Sequence, residues 1–221
     1  MAAPKTWPIA RKATQFVLRP EGSHSYEFGM PLGLVLREML SLVNNAREAK
    51  YLLRENDIKV DGKRVIEPSR IVGFMDVLEI PVVGSYRVSI NKNGKLELKQ
   101  IPAAESKYKI CKVNGKKSLR KNQTAIYLHD GKSIVGKTDF RVGDSALYDF
   151  GSKTVERLEL KEKASVILTG GKHIGYVGNI VKIIPTKVEE DKVVVKTKDE
   201  EFVTLKKFVF VIGKEKPQIA V

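Results

Sequence analysis

Apolar residues recur at helical spacing in two adjoining stretches near the start of the chain. After Pro31, which suits the first position of a helix, they follow i, i+3, i+4 spacing and predict one core-facing stripe. Asn45, followed three residues later by Glu48, predicts the capped start of a second helix. The two predicted buried faces consist of Leu32, Val35, Leu36, Met39, Leu40 and Val43, and of Ala46, Ala49, Leu52 and Leu53.

After residue 56 the pattern changes to short alternating or β-branched runs without a sustained helical period. Residues 58–60 and 63–65 flank Asp61-Gly62, a dipeptide that tight hairpin turns prefer. Short strands at this spacing indicate small barrels or sandwiches. The predicted fold class is α+β and mostly β, with a small helix-hairpin module followed by two small β-barrel-like modules. Further hairpin turns are predicted at Asn93-Gly94, Asn114-Gly115 and Asp130-Gly131.

Composition adds a strong positive charge. The 221 residues include 40 Lys and Arg against 26 Asp and Glu, a formal net charge of +14. This excess favours a polyanionic partner, nucleic acid first and an anionic membrane surface second. The apolar share of 42% is sufficient for packed cores. The single cysteine, Cys111, excludes an intramolecular disulfide and fits a reducing compartment, and no apolar run has the length of a membrane span.

The charge is distributed unevenly along the chain. Residues 1–24 carry +3, residues 25–85 carry −1, residues 86–161 carry +9 and residues 162–221 carry +3. The third section therefore dominates the long-range field, whereas the second depends on where its cations are placed.

In the second section, three cations form one row on the second predicted helix, at i, i+3 and i+7. Together with the hairpin cations they predict a two-sided basic cleft that grips phosphates and reads the shape of structured RNA. The alternative is an ordinary solvated helix face in which Glu48 and Glu55 pair with the cations. The helix row is Arg47, Lys50 and Arg54, and the hairpin cations are Lys59, Lys63, Arg64 and Arg70.

The densest cationic run lies in one predicted hairpin of the third section and contains no acidic residue. Like charges at this density repel one another unless a polyanion lies against them, which predicts phosphate contacts. A solvated edge strand protected by lysines is the alternative, but edge protection needs far fewer cations. The members of the run are Lys107, Lys109, Lys112, Lys116, Lys117, Arg120 and Lys121.

The N-terminal segment is basic and proline-rich, with little periodicity, and is predicted to be an extended arm. Lys5, Arg11 and Lys12 lie near Trp7 in the sequence and join it as RNA-binding candidates. Two roles are open for Trp7: stacking on a base, and anchoring the segment on a domain surface.

No segment predicts catalysis, a cofactor or a metal site. Residues 131–138 fit the phosphate-loop pattern GxxxxGK(S/T), but turn residues follow Lys137-Thr138 where that motif requires a helix. No group of Cys and His residues has metal-ligand spacing. The chain is therefore predicted to be a non-enzymatic binding protein.

Several stretches carry a resemblance to known families. The helix-hairpin segment from Asn45 to Ile80 resembles the RNA-binding module named after bacterial ribosomal protein S-four, and Val166 to Ile180 resembles the KOW motif. Their combination resembles the S-four-e family of archaeal and eukaryotic small-subunit ribosomal proteins. The chain lacks the eukaryotic leader and tail, which suggests an archaeal member. Further matching segments lie at residues 3–7, 73–77, 107–113 and 208–214.

The resemblance implies a structural constituent of the small ribosomal subunit that binds ribosomal RNA through basic helix, hairpin and loop surfaces. It adds Lys172 and His173, in the KOW-like stretch, to the RNA-binding candidates. The implied partners are small-subunit ribosomal RNA and neighbouring small-subunit proteins, with no membrane, cofactor or small-molecule substrate, in the cytoplasmic ribosome. Two alternatives stay open: a transcription or translation factor with a KOW motif, and an RNA-modifying enzyme that docks through its helix-hairpin module.

The implied domain order has five parts. It consists of a basic N-terminal arm over residues 1–24, an S-four-like RNA-binding module over 25–85, a central basic β domain over 86–161, a KOW-containing SH3-like barrel over 162–213 and a C-terminal tail over 214–221.

Overall fold

A computed structural model describes residues 2–13, 15–81, 83–120, 123–136, 139–152, 154–186, 190–197 and 200–219. As predicted, these residues form mostly strands and few helices. They divide into two compact units. The N-terminal unit comprises Met1–Ile90 and Lys95–Lys109, and the C-terminal unit comprises Asn91–Gly94 and Ile110–Val221. Within the described ranges, no helix is long and apolar enough to cross a membrane.

The N-terminal unit combines short helices with two sheets. The larger sheet has the strand order β3-β2-β5-β6-β7, and β1 pairs with β4 in the smaller one. Leu36, Leu53 and Ile58 are fully buried in this unit. The elements are β1 (Gly29–Pro31), α1 (Leu32–Leu34), α2 (Ala46–Glu55), β2 (Lys59–Val60), β3 (Lys63–Arg64), β4 (Ile71–Gly73), β5 (Val77–Ile80), β6 (Gly84–Ile90) and β7 (Leu96–Ile101).

Local sequence signals account for α2 and for the first hairpin. The side chain of Asn45 accepts hydrogen bonds from the backbone N–H groups of Arg47 and Glu48, at 3.0 and 2.9 Å, and caps α2 as predicted. Asp61 and Gly62 have φ angles of 53° and 72°. Positive φ at both positions is the type I′ turn geometry, which joins β2 to β3 as predicted.

The first predicted helix is shorter than its apolar stripe. α1 ends at Leu34 and continues as a π-helical turn over Val35–Met39. Ser41 then leaves the right-handed helical conformation, with a φ of 52°, and Val43 is buried although it lies outside the helix. The spacing marked buried positions such as Leu36, but burial of those positions did not require the helix to continue.

The strands from β8 onward form two five-stranded sheets. Their orders are β10-β9-β8-β11-β12 and β16-β15-β14-β13-β17. The KOW-like stretch contains β13, a turn and the first part of β14. The strands are β8 (Tyr108–Ser118), β9 (Thr124–Leu128), β10 (Ser133–Gly136), β11 (Ser145–Asp149), β12 (Val155–Leu158), β13 (Ser165–Leu168), β14 (Val177–Ile184), β15 (Lys192–Lys196), β16 (Glu201–Leu205) and β17 (Val209–Gly213).

One predicted turn is wrong. Asn93-Gly94 and Asp130-Gly131 do lie between paired strands, but Asn114-Gly115 lies inside the eleven-residue strand β8. The pairing of β8 with β9 shifts register between Val113 and Gly115, so this dipeptide forms a β-bulge. A glycine within a strand marks such a bulge as readily as a turn. The dense cationic run is therefore mainly one long strand, not a hairpin.

Candidate nucleic-acid interface

Three cations project from α2 into solvent. They have no carboxylate partner among the described residues. Glu48, which would pair with them on an ordinary solvated face, accepts a hydrogen bond from the capping side chain of Asn45 at 2.5 Å. Glu48 is thus held at the cap and does not pair with the row, which stays available to an external anion. The row consists of Arg47, Lys50 and Arg54.

The hairpin after α2 presents both paired and unpaired cations. Lys59 and Arg64 lie 3.0 and 3.8 Å from the exposed carboxylate of Asp57, and exposed pairs of this kind contribute little to stability. Arg64 Nη2 also donates to the backbone carbonyl of Arg54 at 2.9 Å, which joins hairpin to helix. The predicted cations Lys63 and Arg70 are exposed. Neither has a carboxylate partner in the described part of the chain.

The far end of β8 carries a second group of unpaired cations. Lys116, Lys117 and Arg120 are exposed, and no described carboxylate pairs with them. Lys107, in a 3-10 turn just before β8, is exposed in the same way. Lys121, the last predicted member of the run, lies outside the described residues.

The predicted RNA contact of Lys109, a member of this run, is wrong. Its side chain is 1% exposed, and its Nζ lies 2.7 Å from Asp61 Oδ2 and 2.5 Å from Asp76 Oδ1. His24 Nε2 lies 3.0 Å from the same Asp76 oxygen. Burial alone would raise the pKa of Asp76, but Lys109 and His24 outweigh it and hold that pKa far below its usual range. Lys109 therefore stabilises the N-terminal unit and offers no surface to RNA.

Of the two roles left open for Trp7, the structure supports anchoring and not base stacking. The ring is 1% exposed, and its Nε1 donates to the carbonyl oxygens of Tyr26 and Gly29, both at 2.9 Å. The Thr6 carbonyl accepts from the Leu96 N–H at 2.8 Å. The segment is thus anchored at these residues, and the buried ring has no face for a base. The exposed cations around it are Lys5, Arg11 and Lys12.

A cleft beside β8 brings together lysines that the sequence analysis did not connect. Lys112 Nζ donates to the Lys207 carbonyl at 2.6 Å, in a cleft of about 430 Å³. Lys206 and Lys207 pair with Asp191 and Glu190, each at 2.9 Å. Burial, with the nearby Lys206, lowers the pKa of Lys112 to about 8. Lys206 and Lys207 belong to no sequence motif. Only the fold brings them close to β8, so the sequence carried no signal for them.

The two candidates in the KOW-like stretch have different surroundings. Lys172 is exposed. His173 is half-buried and stacks on Phe202, with ring centroids 4.1 Å apart and an interplanar angle of 7°. Tyr176 meets His173 edge-on at 5.8 Å, and Lys92 Nζ lies 5.1 Å from the Tyr176 ring centroid. The turn therefore carries a compact aromatic and cationic cluster.

The phosphate-loop pattern lies in strand structure. β10 occupies four of its eight positions, while Lys137 and Thr138 lie outside the described residues. Residues 139–152 form a turn around Gly143 and then β11, where a phosphate loop would be followed by a helix. Across the described ranges, no cluster of three or more His, Cys, Asp or Glu residues is placed to hold a metal ion.

Comparisons with known proteins show what the whole chain is similar to. Residues 84–155 match a family model described as Ribosomal family S4e. A small ribosomal subunit protein eS4 from Methanocella arvoryzae is 35% identical, over 99% of this chain and 94% of that protein. One from Methanosphaera stadtmanae is 36% identical, over 99% and 92%. The crystal structure of the 30S ribosomal protein S4e from Thermoplasma acidophilum is 31% identical, with a TM-score of 0.73 over 84% of this chain and 95% of that one.

Proposed function

The chain belongs to the ribosomal S4e family, and we propose that it is a structural constituent of the small ribosomal subunit that binds ribosomal RNA. The relatives named above are small ribosomal subunit proteins, and we propose no enzymatic activity for this chain. The observation that carries the RNA-binding role is the row of exposed α2 cations without carboxylate partners in the described ranges. In a section with a net charge of −1, these cations act through their position and not through a surplus of charge.

We propose a division of labour along the chain. Residues 25–85 are an S-four-like module for structured RNA, residues 86–161 a central basic β domain, and residues 162–213 a KOW-containing SH3-like barrel. The basic segment 1–24 and the tail 214–221 flank these modules. The protein contacts neighbouring small-subunit proteins in the cytoplasmic ribosome, and its family relatives support an archaeal origin.

Mechanistically, unpaired cations on separate elements neutralise phosphates that RNA folding brings close together. Each phosphate contact releases condensed counterions, which makes binding favourable and salt-dependent. Contacts to phosphates fix orientation without reading bases, so the spacing of the cations supplies recognition of RNA shape. The α2 row and the far end of β8 are two such surfaces. Their cations do not pair with any carboxylate of the described residues.

The test compares full-length variants on cognate small-subunit ribosomal RNA and on random RNA. Reversing Arg47 and Lys50 to Glu should reduce cognate binding far more than random binding, measured by filter binding at fixed salt. Circular dichroism should be unchanged, because these side chains lie off the buried Ala49 side of α2.

The matched control reverses two cations that already have carboxylate partners. Lys196 pairs with Glu201 at 3.1 Å and Lys214 with Glu156 at 2.9 Å. Reversing both to Glu changes the net charge by the same amount and should weaken binding to both RNAs alike. Equal reductions on both RNAs in the α2 variant would show that the helix supplies only background charge.

A further inference from the structure

The outer face of β8, β9 and β10 carries an exposed aromatic ring between small residues. Tyr127, on β9, is 45% exposed. It lies directly opposite Gly115 on β8 and Ser133 on β10. Residues directly opposite one another on antiparallel strands point to the same face of the sheet. At these two opposite positions, the ring therefore has no large side-chain neighbour.

The glycine at the β8 bulge shapes this surface. A Cβ at Gly115 would lie 3.5 Å from Cδ2 of Tyr127, an ordinary contact distance. The ring thus lies close to the glycine, and the rest of its surface is exposed to solvent. The Tyr127 hydroxyl has no hydrogen-bond partner among the described residues. Tyr127 is not a member of the buried cluster that its neighbours Ile126 and Leu128 join.

The next row on the same face adds a cation and an apolar side chain. Lys117 lies opposite Ala125, which lies opposite Val135. Lys117 is exposed, and Val135 is 55% exposed. Between residues 108 and 136 the sequence has one carboxylate, Asp130, which is 2% exposed and lies 3.2 Å from Lys132. The face therefore presents positive charge without an exposed counter-charge from these strands.

We propose that this face binds an unpaired RNA base, with the base stacked on Tyr127 and an adjacent phosphate on Lys117. A flat exposed ring matches the face of a base. Bases within a duplex hide their faces in the stack, so the ligand is a single-stranded loop or bulge. The proposal rests on the ribosomal RNA function above and names the kind of RNA that this second surface takes.

An acidic protein segment is the competing partner. Its carboxylates would pair with Lys117, but they would not stack on the exposed Tyr127 ring beside that cation. The ring and the cation together therefore favour RNA, and the two partners separate in the test below.

The experiment uses the full chain and labelled octauridylate, with binding measured by fluorescence anisotropy across a salt series. Tyr127→Leu keeps apolar cover and removes the ring, so affinity should fall about 5- to 150-fold, the usual effect of removing one base stack. Its salt slope should not change. Lys117→Ala should instead reduce the slope by about 0.7, the share of one single-strand phosphate that this lysine no longer neutralises. Tyr127→Phe should retain binding.

The controls decide between the interpretations. Val203→Ala removes another exposed apolar side chain, 58% exposed in the same unit, and should leave binding unchanged. An RNA hairpin of equal charge should bind Tyr127→Leu and wild type alike. Unchanged octauridylate affinity in Tyr127→Leu, or an equal reduction on the hairpin, would overturn the proposal. So would binding of poly-glutamate that weakens equally in Tyr127→Leu. None of these outcomes affects the separate α2 test of the ribosomal RNA function.

Discussion

Replacing Lys109 with Met should destabilise the N-terminal unit by about 3–5 kcal/mol at neutral pH, the usual result of removing one member of a buried ion pair. The ammonium lies between Asp61 and Asp76, and the Asp76 side chain is only 3% exposed. Methionine preserves much of the apolar stem, so the destabilisation reports mainly the loss of the ammonium between the two carboxylates. A change of this size is a large share of the about 5–15 kcal/mol that stabilises a typical domain.

The pH dependence separates the effect of charge pairing from that of packing. In the wild type, the folded pKa of Asp76 lies below its unfolded value of about 3.9, so its stabilising contribution is present above that pH and is lost as the pH falls. Without Lys109, only His24 remains to oppose the effect of burial, so the pKa of Asp76 should rise and protonation then relieves part of the destabilisation in the variant. The stability difference between the two proteins should therefore shrink between about pH 7 and about pH 4.

Urea unfolding followed by tryptophan fluorescence is the suitable assay. The sole tryptophan, Trp7, is buried in the same unit as Lys109. Lys107→Met, at an exposed neighbouring position, is the control and should change stability by less than about 0.5 kcal/mol. Adding Asp76→Asn to Lys109→Met should recover part of the stability, because it removes a buried charge that has lost its ammonium partner. A destabilisation below about 1 kcal/mol, or an equal one at both pH values without recovery in the double variant, would refute this reasoning.

Three further predictions concern other parts of the chain. Lys116→Ala with Lys117→Ala should lower the salt slope of RNA binding by about 0.7–0.9 for each phosphate that the variant no longer neutralises; an unchanged slope would place this end of β8 against solvent or protein. RNA binding near pH 8 should take up protons, because a phosphate raises the lowered pKa of Lys112; calorimetry in two buffers measures the uptake, and Lys112→Arg should abolish it. Asn45→Ala should cost about 1 kcal/mol in the urea assay by removing the α2 cap; unchanged stability would mean that the cap is dispensable.

The elements that sequence predicted well are those specified locally. Asn45 caps α2 through bonds to residues two and three positions later, and Asp61-Gly62 adopts the φ angles that its hairpin requires. Both signals lie within a few residues of the structure that they specify. The exposed row on α2 followed from the same local periodicity.

The wrong predictions involve partners distant in sequence. Asn114-Gly115 has the composition of a turn, but pairing with β9 makes it a bulge. Lys109 was grouped with the surface lysines. It lies two and four positions before Cys111 and Val113, which are both buried, and therefore shares their face of the strand. This spacing of two was the available signal that the Lys109 side chain points into the core. Its carboxylate partners, 33 and 48 residues away, had no signal in the sequence.

Lysine acetylation of the free protein and of assembled small subunits, read by mass spectrometry, tests the central claim most directly. Lys50, Lys116 and Lys117 should react in the free protein and be protected in the subunit. Lys109, which is buried, should be unreactive in both states, and Lys196, whose side chain is 64% exposed and paired, should react in both. If Lys50, Lys116 and Lys117 remain as reactive in the subunit as in the free protein, then the unpaired cations do not face ribosomal RNA and the account is contradicted.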